Sequence, residues 1–108
     1  LSHGRTAEEK NPTKIEEIVF LDLVGTQVTD AGLKELVSFT ELATLALAST
    51  KVTDAGLKEM VAFKRLTYLN LTNTQVTDKG LKELAALKGL TTIWLGSTKV
   101  TESGIEEL

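Results

Sequence analysis

Apolar residues follow two alternating periods along most of this chain. In one kind of segment, residues such as Leu69 and Leu71 occupy every second position, which predicts a short strand with one buried face. Downstream of each such segment the spacing becomes three, as in Leu57, Met60 and Phe63. A spacing of three predicts one apolar face of a short helix. The chain is therefore predicted to alternate strand and helix.

The two patterns belong to a tandem repeat with a period of 24 residues. The octapeptide at 28–35, VTDAGLKE, recurs unchanged at 52–59, with one change at 76–83 and with four changes at 100–107. A strand, a turn and a short helix in each copy predict one turn of a solenoid. We divide the chain into an N-terminal tail and partial cap at 1–17 and four repeats at 18–41, 42–65, 66–89 and a truncated 90–108.

Polar residues mark the junction between strand and helix in every repeat. Thr29 and Asp30, like their equivalents, stand directly before the helical spacing. Either side chain would accept a backbone N–H bond at the helix N-terminus, and the acid also suits the helix dipole. A glycine follows in the first helical turn, at Gly32 in the first copy, although glycine costs about 1 kcal/mol relative to alanine inside a helix. We therefore predict close packing of adjacent turns at this glycine rather than a ligand site.

The consensus L-x-x-L-x-L-x-x-T-x-V-T-D-x-G-L-K-E-L, which covers residues 18–108, resembles a leucine-rich repeat. It is most similar to the ribonuclease-inhibitor-like and cysteine-containing types, in the Thr-bearing variant common in bacterial proteins. Where those types carry Asn or Cys, this chain has Thr26, Thr50, Thr74 and Thr98. A small polar side chain there would bond the backbone where the strand turns away. The resemblance implies a right-handed α/β solenoid with a parallel concave sheet and convex short helices.

Residues between the strand leucines are expected to line the concave side of this sheet. We call these twelve positions the sheet face: Phe20, Asp22, Val24, Thr44, Ala46, Ala48, Tyr68, Asn70, Thr72, Thr92, Trp94 and Gly96. Three of the five aromatic residues of the chain fall on it. The resemblance implies that a protein or peptide binds on this side, and aromatic anchors dominate such interfaces. The predicted contact residues are Phe20, Asp22, Tyr68, Asn70, Thr92 and Trp94.

A second interpretation of the aromatic residues stays open. They would then cover the sheet or pack beneath a flanking segment without binding a partner. The small residues Ala46, Ala48 and Gly96 favour binding, because they would leave shallow space beside Tyr68 and Trp94 for an incoming side chain.

The composition argues against most kinds of catalytic site. The sequence has no cysteine and a single histidine, His3, in the tail, so thiol nucleophiles, Cys-ligated zinc and histidine triads each lack a component. Asp30, Asp54 and Asp78 recur in register, whereas a catalytic cluster is unique and asymmetric. We expect no enzyme and no cofactor or metal. A net charge of −3 does not favour nucleic-acid binding, and no apolar run reaches the roughly 20 residues that span a membrane.

The last repeat suggests an alternative role. Its strand, around Ile93 and Leu95, is followed by a helix but by no evident cap, which predicts unpaired backbone groups and an open core. Either further repeats continue the solenoid, which we favour, or this edge meets another chain as a homo-oligomer. The alternative to a binding module is therefore a structural or self-associating segment of a larger protein that assembles through its C-terminal end.

Overall fold

A computed structural model of the protein describes residues 17–108. The expected tail and partial cap lie outside the described residues, except for Glu17. Four three-residue strands form one parallel sheet in chain order. They are β1 (Phe20–Asp22), β2 (Thr44–Ala46), β3 (Tyr68–Asn70) and β4 (Thr92–Trp94).

Each strand is followed by a single turn of α-helix. The helices are α1 (Asp30–Lys34), α2 (Asp54–Leu57), α3 (Asp78–Leu81) and α4 (Glu102–Glu106). In the first three repeats a 3₁₀ turn continues the helix, over Glu35–Ser38, Lys58–Ala62 and Lys82–Ala86. The single short helix expected for each repeat is thus divided into two parts. The apolar spacing of three was the signal for this division, because a 3₁₀ helix has 3.0 residues per turn.

The strand register follows the 24-residue period. Leu45 pairs with Leu21 on one side and with Leu69 on the other, and Leu69 pairs with Ile93. These inward side chains meet the apolar side of the helices, so that each repeat adds a layer to one core. The expected α/β solenoid with a parallel sheet and short helices is confirmed.

The core is deepest in the second and third repeats. Phe63, Met60 and Leu69 have no solvent exposure, since another repeat lies on both sides of them. At the two ends most of the equivalent apolar residues are only partly buried, as for Leu21 and Ile93, although Leu33 of the first repeat is fully buried. The buried hydrophobic cluster includes, from the two central repeats, Leu42, Leu45, Leu47, Val52, Leu57, Met60, Phe63, Leu66, Leu69, Leu71, Val76, Leu81, Leu84 and Leu87.

Every strand leads into a turn with one left-handed residue. The position is occupied by Gly25, Ser49, Asn73 and Ser97, with φ of 75°, 57°, 58° and 57°. Glycine adopts such angles at little cost and Asn tolerates them. In the third repeat, Asn73 Nδ2 also donates to the Ser49 hydroxyl at 3.0 Å, which ties this turn to the preceding one.

The threonine after the left-handed residue closes the turn. The hydroxyl of Thr50 donates to the Leu47 carbonyl at 2.7 Å, and Thr74 makes the equivalent bond to Leu71. Both hydroxyls are buried. The predicted bond from this position to the backbone is therefore present, and its acceptor is the carbonyl three residues earlier in the same repeat.

Candidate recognition surface on the sheet face

Register places the sheet-face residues in rows that run across the four strands. The first row is Phe20, Thr44, Tyr68 and Thr92, and the second row is Asp22, Ala46, Asn70 and Trp94. All six predicted contact residues lie in these two rows. Their strand neighbours Leu45 and Leu69 are fully buried, so the two rows occupy the side of the sheet that faces away from the core.

The aromatic residues differ in exposure along the sheet face. Phe20 on the first strand and Trp94 on the last are 57% and 54% exposed, whereas Tyr68 is half-buried. Large apolar side chains with this exposure, on one continuous surface, are a common feature of interaction sites. The described residues leave both ends of the sheet face open to a partner.

Two polar side chains of the second row are held by their own backbone. Asp22 Oδ1 accepts from the Val24 N–H at 3.1 Å, and Asn70 Oδ1 accepts from the Thr72 N–H at 3.0 Å. These bonds to the residue two positions later orient the side chains. They also give Asp22 and Asn70 a local structural role beside the predicted contact role.

The row after the strands consists of Val24, Ala48, Thr72 and Gly96, and it is less open than expected at Ala48. Ala48 is only 9% exposed, so it lies at the floor of the surface and adds no accessible space beside Tyr68. Its carbonyl accepts from the Gly25 N–H at 2.9 Å, and the neighbouring Ser49 N–H donates to Thr72 at 2.9 Å. The backbone hydrogen bonds thus continue beyond the strand bounds and hold Ala48 between the neighbouring repeats.

Chemically, the sheet face is almost neutral. Asp22 is its one charged residue, and the remaining positions are aromatic, small, hydroxyl or amide. Within residues 17–108, no group of three or more His, Cys, Asp or Glu side chains is arranged to hold a metal ion. For the same residues, no helix is long and apolar enough to cross a bilayer.

The carboxylates that recur in register lie at the starts of the helices and accept hydrogen bonds from the next repeat. Asp54 Oδ1 accepts from the Thr77 N–H at 2.7 Å, and its Oδ2 accepts from the Thr77 hydroxyl at 2.5 Å. The same hydroxyl accepts from the Lys79 N–H at 3.2 Å and so caps α3. We call this chain of bonds the Asp–Thr relay. Equivalent pairs are Asp30 with Thr53 and Asp78 with Thr101.

This relay corrects the expected capping. Threonine caps the second, third and fourth helices, whereas Thr29 makes no side-chain cap bond among the described residues. Asp30 and its equivalents are the first helical residues and bond to the next repeat instead of capping their own helix. A partner 23 residues away gives no local sequence signal, so sequence reasoning did not find it.

Recurrent glycine is explained by the same carboxylates. A Cβ on Gly80 would meet the Asp54 carboxylate and would lie 2.9 Å from Asp54 Cα. Cβ atoms on Gly56 and Gly104 would meet the carboxylates of Asp30 and Asp78. Close packing between adjacent turns, as predicted, therefore explains glycine at these three positions, whereas a Cβ on Gly32 would meet Val28 Cγ2 of its own repeat at 2.7 Å.

Hydrogen bonding lowers the pKa of Asp78 from its ordinary value of 3.8. The largest cause is the bond from the Thr101 hydroxyl, followed by the bond from the Thr101 N–H. The positive charge of Lys82 adds a smaller effect in the same direction, and desolvation opposes all three. The bonds from Thr101 thus favour the ionised carboxylate of Asp78.

The C-terminal edge of the solenoid carries an apolar groove. It has a volume of about 580 Å³ and includes Leu90, Ile93, Leu95, Ile105 and Leu108 in its lining. Ile105 and Leu108 are about half exposed. This groove lies beside the last strand and is separate from the two rows of the sheet face.

Comparison with protein families finds a match in two segments. Residues 18–37 and 65–85 fit the model described as "Leucine Rich repeat". The fold is a leucine-rich repeat solenoid. Both matched segments begin shortly before a strand of the sheet and extend into the helix that follows. No curated protein sequence matches the chain.

A solved structure has a similar fold. The crystal structure of an internalin from Listeria monocytogenes is similar with a TM-score of 0.53 and 18% sequence identity. The similarity covers 82% of this chain and 31% of the internalin chain. The chain therefore spans about a third of the internalin's length, and at this identity the likeness concerns the fold alone.

Proposed function

We propose that this leucine-rich repeat solenoid is an interaction module that binds a protein or peptide on its sheet face. Leucine-rich repeat domains generally mediate protein–protein interaction and act as scaffolds rather than enzymes. The observation that carries the proposal is the placement of sequence variation. Asp22, Ala46, Asn70 and Trp94 occupy equivalent positions on neighbouring strands and are all different. The buried and helix-start positions keep one residue type or a close substitute.

The proposed contacts are six of the eight residues in the two rows: Phe20, Asp22, Tyr68, Asn70, Thr92 and Trp94. Trp94 and Phe20 supply exposed aromatic area, and Tyr68 lies between them, on the third strand. Interfaces of this kind are depleted in charge at their centre and enriched in aromatic residues. A protein or peptide fits better than nucleic acid or a membrane surface, since the sheet face has one carboxylate and no Lys or Arg.

We also infer the subtype and the boundaries of the repeats. The 24-residue period and the Thr that closes each turn favour the ribonuclease-inhibitor-like or cysteine-containing type, in its Thr-bearing bacterial variant. The short helices opposite the sheet are consistent with it. Under this proposal the repeats are 18–41, 42–65, 66–89 and 90–108, after a tail and partial cap at 1–17.

Selection of binders tests the proposed surface. Random peptides displayed on phage are selected against the purified protein, and each binder is measured again with the double variant Tyr68→Ala/Trp94→Ala. We expect affinity to fall by about 100-fold or more, because aromatic hot spots cost about 2 kcal/mol or more when truncated. The matched control is Lys34→Ala/Glu59→Ala on the helix side, which should bind normally. Normal binding by the aromatic double variant would refute the assignment.

The alternative is a self-associating segment that assembles through the C-terminal edge with a second copy. Half-exposed Ile105 and Leu108 beside the apolar groove favour it. Sedimentation at increasing protein concentration tests it, with Ile105→Glu as the variant that should abolish association. A monomer at every concentration would contradict this alternative and would leave the sheet-face proposal intact.

A further inference from the structure

Small side chains form a floor between two pairs of larger ones on the sheet face. Thr44 lies between Phe20 and Tyr68 in the first row, and Ala46 lies between Asp22 and Asn70 in the second. We call this feature the notch, with Thr44 and Ala46 as its floor and Phe20, Asp22, Tyr68 and Asn70 as its walls.

Strand geometry gives the dimensions of the notch. Neighbouring strands are about 4.8 Å apart, so the two walls stand about 10 Å apart between their backbones. With the van der Waals thickness of each wall removed, about 6 Å remains, which admits one side chain but no helix. Along the strand, the step from the first row to the second is about 6.7 Å. A bound side chain would therefore be long and narrow.

The chemical character of the notch changes between the first row and the second. At the first row, the Phe20 and Tyr68 rings offer apolar and π surface. At the second row, Asp22 supplies the one negative charge of the sheet face. Its carboxylate is oriented by the Val24 N–H, which occupies Oδ1 at 3.1 Å and leaves further lone pairs for a donor.

We propose that the notch is a subsite for an arginine side chain of the bound protein or peptide. This inference rests on the proposed function of the sheet face. The methylene stem lies between the two rings, and the guanidinium reaches Asp22 with two parallel N–H bonds. A planar guanidinium also stacks on an aromatic ring, whereas the ammonium of lysine is a compact point charge and is held less well by both features.

Asn70, on the opposite wall, contacts the main chain of the bound segment. Its Oδ1 is engaged by the Thr72 N–H at 3.0 Å, so its Nδ2 donors face a partner's acceptor rather than a cation. A backbone carbonyl next to the bound arginine supplies that acceptor. The two walls therefore recognise different groups of one segment, the charge on the Asp22 side and the peptide bond on the Asn70 side.

NMR titration with blocked tripeptides tests the subsite without knowledge of the natural partner. The probes are acetyl-Ala-Arg-Ala-amide, its lysine analogue and its citrulline analogue, which is neutral but nearly the same shape. We expect the arginine probe to shift the amide signals of Thr44, Ala46 and Asn70 with a Kd of about 1–10 mM. The citrulline probe should bind about tenfold more weakly, and lysine should fall between them.

Asp22→Asn is the decisive variant, and Glu107→Gln is its charge-matched control, because Glu107 is an exposed acid directly after the last helix. Asp22→Asn should weaken the arginine probe about tenfold and remove its advantage over citrulline, while Glu107→Gln should change neither. Equal binding of arginine and citrulline, shifts elsewhere on the protein, or no saturable shift would overturn the subsite. If selected peptides still require Tyr68 and Trp94, the subsite alone has failed and the proposed function stands.

Discussion

On the helix side of the solenoid, an Asp, a Thr and a Gly meet at each junction between consecutive repeats, whereas equivalent positions on the sheet face carry Asp, Ala, Asn and Trp. The helix-side residues contact the next repeat, so the same contact made at each junction requires the same residue types. The sheet-face side chains project away from the core, and stacking does not demand a particular residue there. The comparison teaches that repetition in this chain records packing and that variation marks the surface available for recognition.

A Gly→Ala substitution should therefore change the free energy of unfolding differently on the two sides of the solenoid. Gly80→Ala places a Cβ against the Asp54 carboxylate and 2.9 Å from Asp54 Cα, and we expect a loss of about 3 kcal/mol of unfolding free energy. Gly96→Ala on the sheet face meets nothing closer than Thr72 Cγ2 at 3.8 Å. It should be neutral or stabilise by about 0.5 kcal/mol through the unfolded state.

Thermal unfolding measures this difference. We expect the melting temperature of Gly80→Ala to fall by about 12–24 °C, from about 4–8 °C per kcal/mol in a chain of this size, while Gly96→Ala stays close to the parent. If the two variants melted alike, tight packing at the helix-side glycine would be the wrong reason for its recurrence.

Two aspartates form the next matched pair. Asp54→Ala removes both relay bonds to Thr77, and we expect it to cost about 2 kcal/mol, as for hydrogen bonds to a charged group. Asp22→Ala removes one bond to an exposed turn and should cost about 0.5 kcal/mol or less. Urea unfolding with unchanged m-values would measure both. A larger loss of unfolding free energy for Asp22→Ala than for Asp54→Ala would contradict the assignment of the structural carboxylate to the helix side.

Much of this fold could be predicted because the 24-residue repeat determines which residues align on neighbouring strands. The 24-residue spacing alone predicts that Phe20 aligns with Thr44 and Tyr68, and the structure has this register. Alternation around Leu45 and Leu69 likewise predicts which positions join the sheet face.

The pattern of apolar and polar residues does not predict the contacts between repeats. Asp54 and Thr77 are 23 residues apart, and both residue types also suit a local cap, so the sequence does not distinguish the two roles. The left-handed residues show a similar ambiguity, because only Gly25 declares its positive φ by residue type, while Ser49 and Ser97 adopt one through their place in the turn. For Ala48, burial depends on the ladder continuing past the strand, which alternation does not predict.

A smaller effect concerns pH. Because bonds from Thr101 lower the pKa of Asp78 in the folded protein, the unfolded chain takes up this proton first as pH falls. The contribution of Asp78 to stability is therefore complete above its ordinary pKa of 3.8 and declines as pH falls below it. Melting temperatures between about pH 6 and about pH 2 should drop less steeply for Asp78→Asn than for the parent protein. Identical slopes would show that this carboxylate is not coupled to folding.

The most direct test of the central claim is an NMR footprint of a peptide selected against the protein. Amide shifts on saturation should be concentrated on the sheet face, at Thr44, Ala46, Tyr68, Asn70 and Trp94, with the helix starts at Asp54 and Asp78 unchanged. That result would assign recognition to the variable side and packing to the repeated side. Shifts centred on the helix starts, or on Ile105 and Leu108 at the C-terminal edge, would contradict it.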